Sequence, residues 1–371
     1  MIVHSMELEH WRSYGHVRAQ FAPDINVITG DNAQGKTNLL ESIAYLSACR
    51  SHRARTEGEL IRMGESRAIV RGALTSRERE FLLEVRLGRG IRRQMFSNGV
   101  RQKTVAEMSG ILKTVLFCPE DLNLIRAGAV ERRRFLDDAI CQLRPRYAAA
   151  LAEYKRLLEQ KRRILKDWQD KPSLLEPLDE FNLRLCQTGA LVVHYRAHFI
   201  KKLSEYAPPI HGDFSSGREA LSLHYQTVKT VTDPLAPTLT LFHQLQEHME
   251  GHRQAELDSK SCLSGPHKDD LLLDLNGVSV KTYGSQGQTR TAALSLELAQ
   301  REIFYENDGE YPVLLLDDVL SELDPRRQEF VLNRIGGGQV FITCCESERL
   351  SELRAGKVLR IDHGTLREES G

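Results

Sequence analysis

Gly30-Asp31-Asn32-Ala33-Gln34-Gly35-Lys36-Thr37 fits the phosphate-cradling pattern G-x-x-x-x-G-K-[ST] and stands where that pattern has to stand. Ile25-Asn26-Val27-Ile28 before it reads as a short buried strand, and Asn38 to Leu46 after it has the apolar spacing of a helix. Two glycines allow a tight turn whose backbone N–H groups converge on an anion, and the helix points its positive end at the same place. These eight residues are therefore expected to bind ATP. Lys36 would reach the β- and γ-phosphates, and Thr37 would offer its hydroxyl to Mg²⁺. A glycine turn that binds nothing is the plain alternative. Strand, loop, Lys-Thr and helix in unbroken order argue against it.

Composition limits what carries this loop. The 371 residues suffice for a large core and more than one domain, and 41% hydrophobic with 27% charged residues is ordinary for a globular protein. Lys+Arg and Asp+Glu each total 51, so no global field draws the chain to nucleic acid or membrane. Any DNA contact must come from local clusters. Seven scattered cysteines without a C-x-x-C spacing read as reduced thiols. Met1 to Glu7 lacks the n- and h-regions of a secretory signal, and no apolar run approaches the roughly 20 residues that cross a bilayer. A cytoplasmic protein with no membrane partner is expected.

Up to about residue 115 the pattern is short strands and turns, with Asn98-Gly99 as a hairpin signal after Phe81-Leu82-Leu83-Glu84-Val85. From 116 to 206 the sequence is helical. Tyr147, Leu151, Tyr154, Leu158, Leu165 and Trp168 step by fours and threes, interrupted by Lys161. Leu178, Phe181, Leu185, Val192, Tyr195 and Phe199 repeat the rhythm, with Thr188 at the skipped position. Pro172 and Pro177 separate the two stripes. Two legs of about 22 residues would form either a hairpin arm spanning roughly 33 Å or the core-facing helices of a compact bundle. Residues 207–261 read as a connector, with a strand at Leu221-Ser222-Leu223-His224-Tyr225 and a helix near 239–257. From 262 to 371 the α/β pattern returns.

Tyr311-Pro312-Val313-Leu314-Leu315-Leu316-Asp317-Asp318 reads as an apolar strand of a two-sided parallel sheet ending in two carboxylates. Adjacent acids there are costly without a cation, which Mg²⁺ beside phosphates supplies. Successive strand residues face opposite sides, so Asp317 is expected to hold Mg²⁺ through water and Asp318 to polarise the attacking water. Upstream, Ser285-Gln286-Gly287-Gln288 opens a helix. It is a capping box, and the same exposed N–H groups and hydroxyl suit a phosphate presented by a second copy. Val319-Leu320-Ser321-Glu322-Leu323-Asp324 is a polar turn placed to meet its own copy.

Together with Cys118-Pro119-Glu120-Asp121-Leu122, Glu131-Arg132-Arg133-Arg134-Phe135-Leu136-Asp137 and Ser264-Gly265-Pro266-His267-Lys268-Asp269-Asp270, these strings resemble the SMC-type ATP-binding-cassette ATPases, and among them the RecF family of bacterial recombination mediators. The resemblance runs in family order over nearly the whole chain. It implies an α/β, SMC-like P-loop ATPase head, discontinuous in sequence, with an inserted α-helical arm. It implies an ATP-dependent homodimer in which Ser285, Gly287 and Gln288 close over the partner's nucleotide and Ser321 and Asp324 lie at the dimer face. It also implies binding at DNA gaps and junctions, and work with RecR and RecO to place RecA on single strands.

Two positions depart from the wider pattern. Related ATPases usually carry Glu where this chain, as RecF proteins generally do, has Asp318, which suggests slow hydrolysis. Cys344-Cys345 follows the strand Gln339 to Thr343 where small hydroxyl residues are expected, leaving Thr343 as the candidate γ-phosphate sensor. Candidate DNA contacts are Arg50, Arg53 and Arg55; Arg86, Arg89, Arg92 and Arg93; and Arg126 with Arg132, Arg133 and Arg134. His194 and His198 have zinc-compatible spacing but no third ligand in sequence. A metabolic P-loop kinase gives no reason for Ser285 to Gln288. A transporter ATPase would carry a Leu-Ser-Gly-Gly-Gln string, which is missing.

Overall fold

The computed structural model describes residues 1–319, 323–345, 356–362 and 364–369. It divides into two compact units, residues 1–121 with 294–371, and residues 122–293. The head is thus discontinuous in sequence, as expected. The sequence reading divides the chain more finely, at 115, 206 and 261.

The first unit holds two six-stranded sheets that burial patterns tell apart. Arg67–Ser76 of the antiparallel sheet alternates between buried and more open positions, with one face on the core and one in water. Val313–Asp317 is buried throughout, and Ile25–Thr29 and Val340–Cys344 nearly so, as strands covered on both faces must be. In the other sheet, parallel except at one edge, the phosphate-loop strand Ile25–Thr29 pairs with Val340–Cys344, which pairs with Val313–Asp317. The helix Lys36–Ala48 lies in a core shared by both sheets. Leu39, Leu40, Ile43 and Leu46 meet Met6 and Leu8 from one sheet and Ile28, Leu315 and Phe341 from the other. The Gln339 amide fastens the sheets together, accepting from the Val3 N–H at 2.7 Å and donating to the Val3 carbonyl at 2.8 Å. Asn98 and Gly99 both take positive φ, 49° and 77°, and close the expected hairpin between Ile91–Ser97 and Val100–Gln102.

In the second unit the helices Pro145–Asp167 and Leu178–Phe214 pack as core-facing helices, the second of the two expected arrangements. Tyr154, Leu158, Leu165, Leu185 and Val193 share one core with Leu241, Leu245 and Met249 of the helix Thr238–Gly251, so the stripes are closed by a third helix. Lys161, the polar interruption, is buried with its ammonium 2.5 Å from Glu256. Thr188 turns its hydroxyl back to the Arg184 carbonyl. The second helix continues through Pro208 and Pro209 to Phe214, beyond the expected end at 206. The strand Leu221–Gln226 pairs with Asp270–Leu275.

Candidate nucleotide site

The phosphate loop takes the backbone that its two glycines permit. Gly30 has φ 143° and Gly35 φ 117°. A Cβ at Gly30 would stand 2.4 Å from the Ile361 carbonyl oxygen, so only glycine fits. Tyr14 supports the other end, its hydroxyl donating to the Gly35 carbonyl at 2.9 Å. Lys36 is buried and folds back onto the loop, its ammonium donating to the Gly30 and Asp31 carbonyls at 2.5 and 3.0 Å. Cys345 completes the rim: Lys36 Nζ lies 3.6 Å from its sulfur, which is 3.0 Å from Asn32 Oδ1.

The parallel register sets Asp317 opposite Thr343. Three strands and one helix start therefore converge. Thr37 donates its hydroxyl to Asp317 Oδ1 at 3.0 Å, and Thr343 donates to the same oxygen at 2.7 Å. The Asp318 N–H donates to Thr343 Oγ1 at 2.8 Å. Thr343, expected as a phosphate sensor, is engaged with both aspartates. The geometric reason for separating Asp317 from Asp318 needs correcting. Their separation does not come from strand alternation, because the strand ends at Asp317 and Asp318 adopts φ 51°. That left-handed turn carries the second carboxylate out of the pleat. Burial pushes the neighbouring Cys344 thiol up to about 11, whereas Cys345 is exposed.

One buried acid stands in the helix after the loop without a role in the sequence reading. Glu41, on the buried face of the phosphate-loop helix, receives Arg12 through two bonds of 2.8 and 2.7 Å and the Ser51 hydroxyl at 2.5 Å. Burial works to raise its carboxyl, but Arg12 and Ser51 outweigh it and hold it below the usual carboxylate range. An acid among Leu39, Leu40, Ile43 and Leu46 cannot stay buried unpaired, and that was the available signal.

The second unit carries Ser285, Gly287 and Gln288. The capping box is formed: the Gln288 N–H donates to Ser285 Oγ at 3.2 Å and the Ser285 N–H to Gln288 Oε1 at 2.9 Å. Gln288 Nε2 also donates to Glu219, whose other oxygen is 2.9 Å from His211. Ser285 and Gln286 remain exposed at the helix start. In the string Ser264 to Asp270, Ser264, Gly265, Pro266 and Asp269 are buried, while Lys268 is exposed. Arg196 joins Asp137 at 2.8 Å and Asp269 at 3.1 Å, and Tyr225 donates to Asp269.

Of the DNA candidates, Arg132 is a correction. It is buried, with its guanidinium on both Asp270 oxygens at 2.6 and 2.9 Å and on three backbone carbonyls. Arg133 is half-buried and donates to the Asp269 carbonyl at 2.6 Å. Arg53 and Arg55 are exposed. Asp324 caps the helix Pro325–Arg334, accepting from the Arg327 N–H, while Ser321 lies outside the described residues. The rings of His194 and His198 stand 4.2 Å apart. Among the described residues, no helix is long and apolar enough to cross a membrane.

A family model described as the RecF/RecN/SMC N terminal domain matches residues 2–365. The DNA replication and repair protein RecF of Bacillus subtilis (strain 168) is 40% identical over 370 residues, covering 99% of this chain and 100% of that protein. The corresponding protein of Agathobacter rectalis is 39% identical over 345 residues, covering 93% and 92%. A solved structure of the recombination mediator RecF with ATP, from the RecFOR pathway, superposes with a TM-score of 0.92 at 31% identity, covering 100% and 98%. An SMC head domain from Pyrococcus furiosus has the same fold, with a TM-score of 0.57 at 18% identity and coverage of 100% and 96%.

Proposed function

Because the chain belongs to the RecF/RecN/SMC family, within its RecF branch of DNA replication and repair proteins, we propose that it is an ATPase used as a switch on DNA. The observation that carries this reading is the Thr37–Asp317–Thr343–Asp318 network beside the phosphate loop. Lys36 rests on loop carbonyls that ATP phosphates can replace, so it is already turned toward the place they occupy. The Thr37 hydroxyl and the Asp317 carboxylate form a small, all-oxygen donor pair, which suits Mg²⁺. When bound, Mg²⁺ supplies charge neutralisation at the phosphates, and these two residues would hold it. Asp318, carried out of the strand by its own turn, is the group that would orient and polarise water. Its side chain is one methylene shorter than Glu, which supports slow turnover.

In this reading ATP closes a head-to-head homodimer on gapped or junction DNA. Ser285, Gly287 and Gln288 of one protomer meet the nucleotide of the other, with Ser321 and Asp324 at the dimer face. The exposure of Ser285 at a helix start supports that role. Slow hydrolysis reopens the dimer, and the cycle helps RecO and RecR load RecA onto single strands in the cytoplasm. ATP shifts the population only through its greater affinity for the closed form.

The test is light scattering with ATP and a gapped duplex, wild type beside Asp318→Asn and Lys36→Ala. The switch requires an ATP-dependent dimer in the wild type that persists, DNA-bound, in Asp318→Asn and is lost in Lys36→Ala. A wild type that stays monomeric with ATP and DNA would overturn it.

A further inference from the structure

We propose that the hollow at the edge of the antiparallel sheet, lined by Arg92, Arg93, Arg101 and Lys103, binds the phosphate backbone of DNA. The inference rests on the reading of DNA as this protein's partner and gives that partner a place. Although the chain as a whole is neutral, residues 85–104 contain Arg86, Arg89, Arg92, Arg93, Arg101 and Lys103 and not one acid. Folding concentrates this surplus. Ile91–Ser97 and Val100–Gln102 form the last two strands of the sheet, and four of the cations surround a cavity of about 590 Å³.

Three cations elsewhere in the same sheet are matched by acids. Arg71 is held between Glu9 and Glu84 at 2.7 and 2.6 Å, Glu7 pairs with Arg18 at 3.1 Å, and Arg86 is matched by Glu84. At the hollow, Glu57 pairs with Arg93, whose guanidinium also donates to the Cys49 carbonyl at 2.6 Å. That leaves Arg93 fixed. Among the described residues, the side chains of Arg92 and Arg101 make no hydrogen bond or ion pair, and both are exposed.

Cations on a short edge strand also deter edge-to-edge pairing. That purpose accounts for Arg101, but it does not call for four cations, three from the last two strands and Lys103 just beyond them, around one concavity. The lining offers cations and few groups to read a base edge, so it suits contact with backbone phosphates independent of sequence. A chain without net charge needs such local focusing to hold a polyanion.

The experiment uses the full chain with ATP, comparing wild type with the triple variant Arg92→Ala, Arg101→Ala, Lys103→Ala. Fluorescence anisotropy on a gapped duplex is read across a salt series, beside ATP binding by the same proteins. The expected result is at least tenfold weaker DNA binding and a log K against log salt slope shallower by about 2.7, roughly 0.9 per lost phosphate contact, with ATP binding unchanged. Replacing Arg92 and Arg101 by Lys restores most of the affinity, because a phosphate contact needs the charge. Wild-type affinity and slope in the triple variant would overturn the hollow while leaving DNA as partner. A wild type that ignores the duplex at every salt concentration would overturn the DNA reading itself. Loss of tripolyphosphate binding with DNA binding intact would make the hollow a site for small anions and refute the proposal.

Discussion

In the phosphate loop, Lys36 donates to two backbone carbonyls beside an exposed run, Asp31 to Ala33, and reaches a thiol at the rim. In the string Ser264 to Asp270, Asp269 is sealed inside with Arg196 and Tyr225, and Asp270 grips Arg132. Both segments contain Gly, Lys and Asp, and both belong to strings that carry the family resemblance. They differ in what holds their polar groups. Around Lys36 the partners are backbone carbonyls at the foot of an exposed loop, which a ligand can displace. Around Asp269 the partners are buried side chains, which nothing can replace. The first arrangement suits the proposed binding site and the second a scaffold.

The sharpest way to break this comparison is to remove the cation from each. Arg196→Ala leaves Asp137 and Asp269 buried without their guanidinium, and burial already lifts the Asp269 carboxyl in spite of Arg196 and Tyr225. The expected cost is about 3–5 kcal/mol, read as a fall in the urea midpoint. Lys36→Ala is expected to change stability by no more than about 1 kcal/mol, since the carbonyls it releases lie beside an exposed loop, and yet to abolish ATP binding. Equal losses of stability in the two variants would erase the distinction.

A second test uses pH. His267 accepts from, or donates to, Tyr154 at 2.7 Å through Nδ1 and lies 3.1 Å from the Cys262 carbonyl through Nε2. Burial pushes its imidazole down to about 4, with Lys268, Arg162 and Lys161 adding to the effect and the Cys262 carbonyl opposing it. Between pH 6.5 and about 4 the unfolded chain therefore takes up a proton that the folded chain refuses. Stability falls as pH falls through that window, by up to about 3 kcal/mol, and the loss is complete below it. His267→Gln can keep both hydrogen bonds but cannot titrate. The pH dependence of its urea midpoint should be flatter than wild type over that range alone. Parallel curves would show that His267 is not charged differently in the two states.

How far the sequence could be read follows the same division. The phosphate loop was legible because strand, glycines, Lys-Thr and helix are contiguous, so local rules suffice. The helical stripes were legible for the same reason. Arg132 was misread as part of a basic triplet, although Arg132, Leu136, Ala139 and Ile140 fall at i, i+4, i+7 and i+8 and so share a buried helix face. Lys161 carried the same signal within its own stripe. The role of Thr343 was beyond local reading, because it depends on a register between strands that the sequence does not specify. Asp318 was read as a strand residue because nothing in Asp317-Asp318 announces where the strand ends.

Thr343 is where the two kinds of region meet, and it supports the smallest of the expected effects. Its hydroxyl is buried like the Asp269 partners, but it serves the two carboxylates proposed to face the ligand, donating to Asp317 and accepting from the Asp318 N–H. Thr343→Val keeps the shape and removes both bonds. Asp317 retains Thr37, while the Asp318 N–H loses its acceptor, for about 1–2 kcal/mol of stability. ATP affinity should stay near wild type because the phosphate loop is untouched. The turnover number should fall about tenfold or more, since the turn carrying Asp318 is no longer pinned to the neighbouring strand. Thr343→Ser, which keeps the hydroxyl, should recover most of that rate. A hydroxyl that merely filled space would give the opposite ranking, with Val close to wild type and Ser the poorer variant. Stability, ATP affinity and turnover therefore separate a positioning role for Thr343 from a packing one.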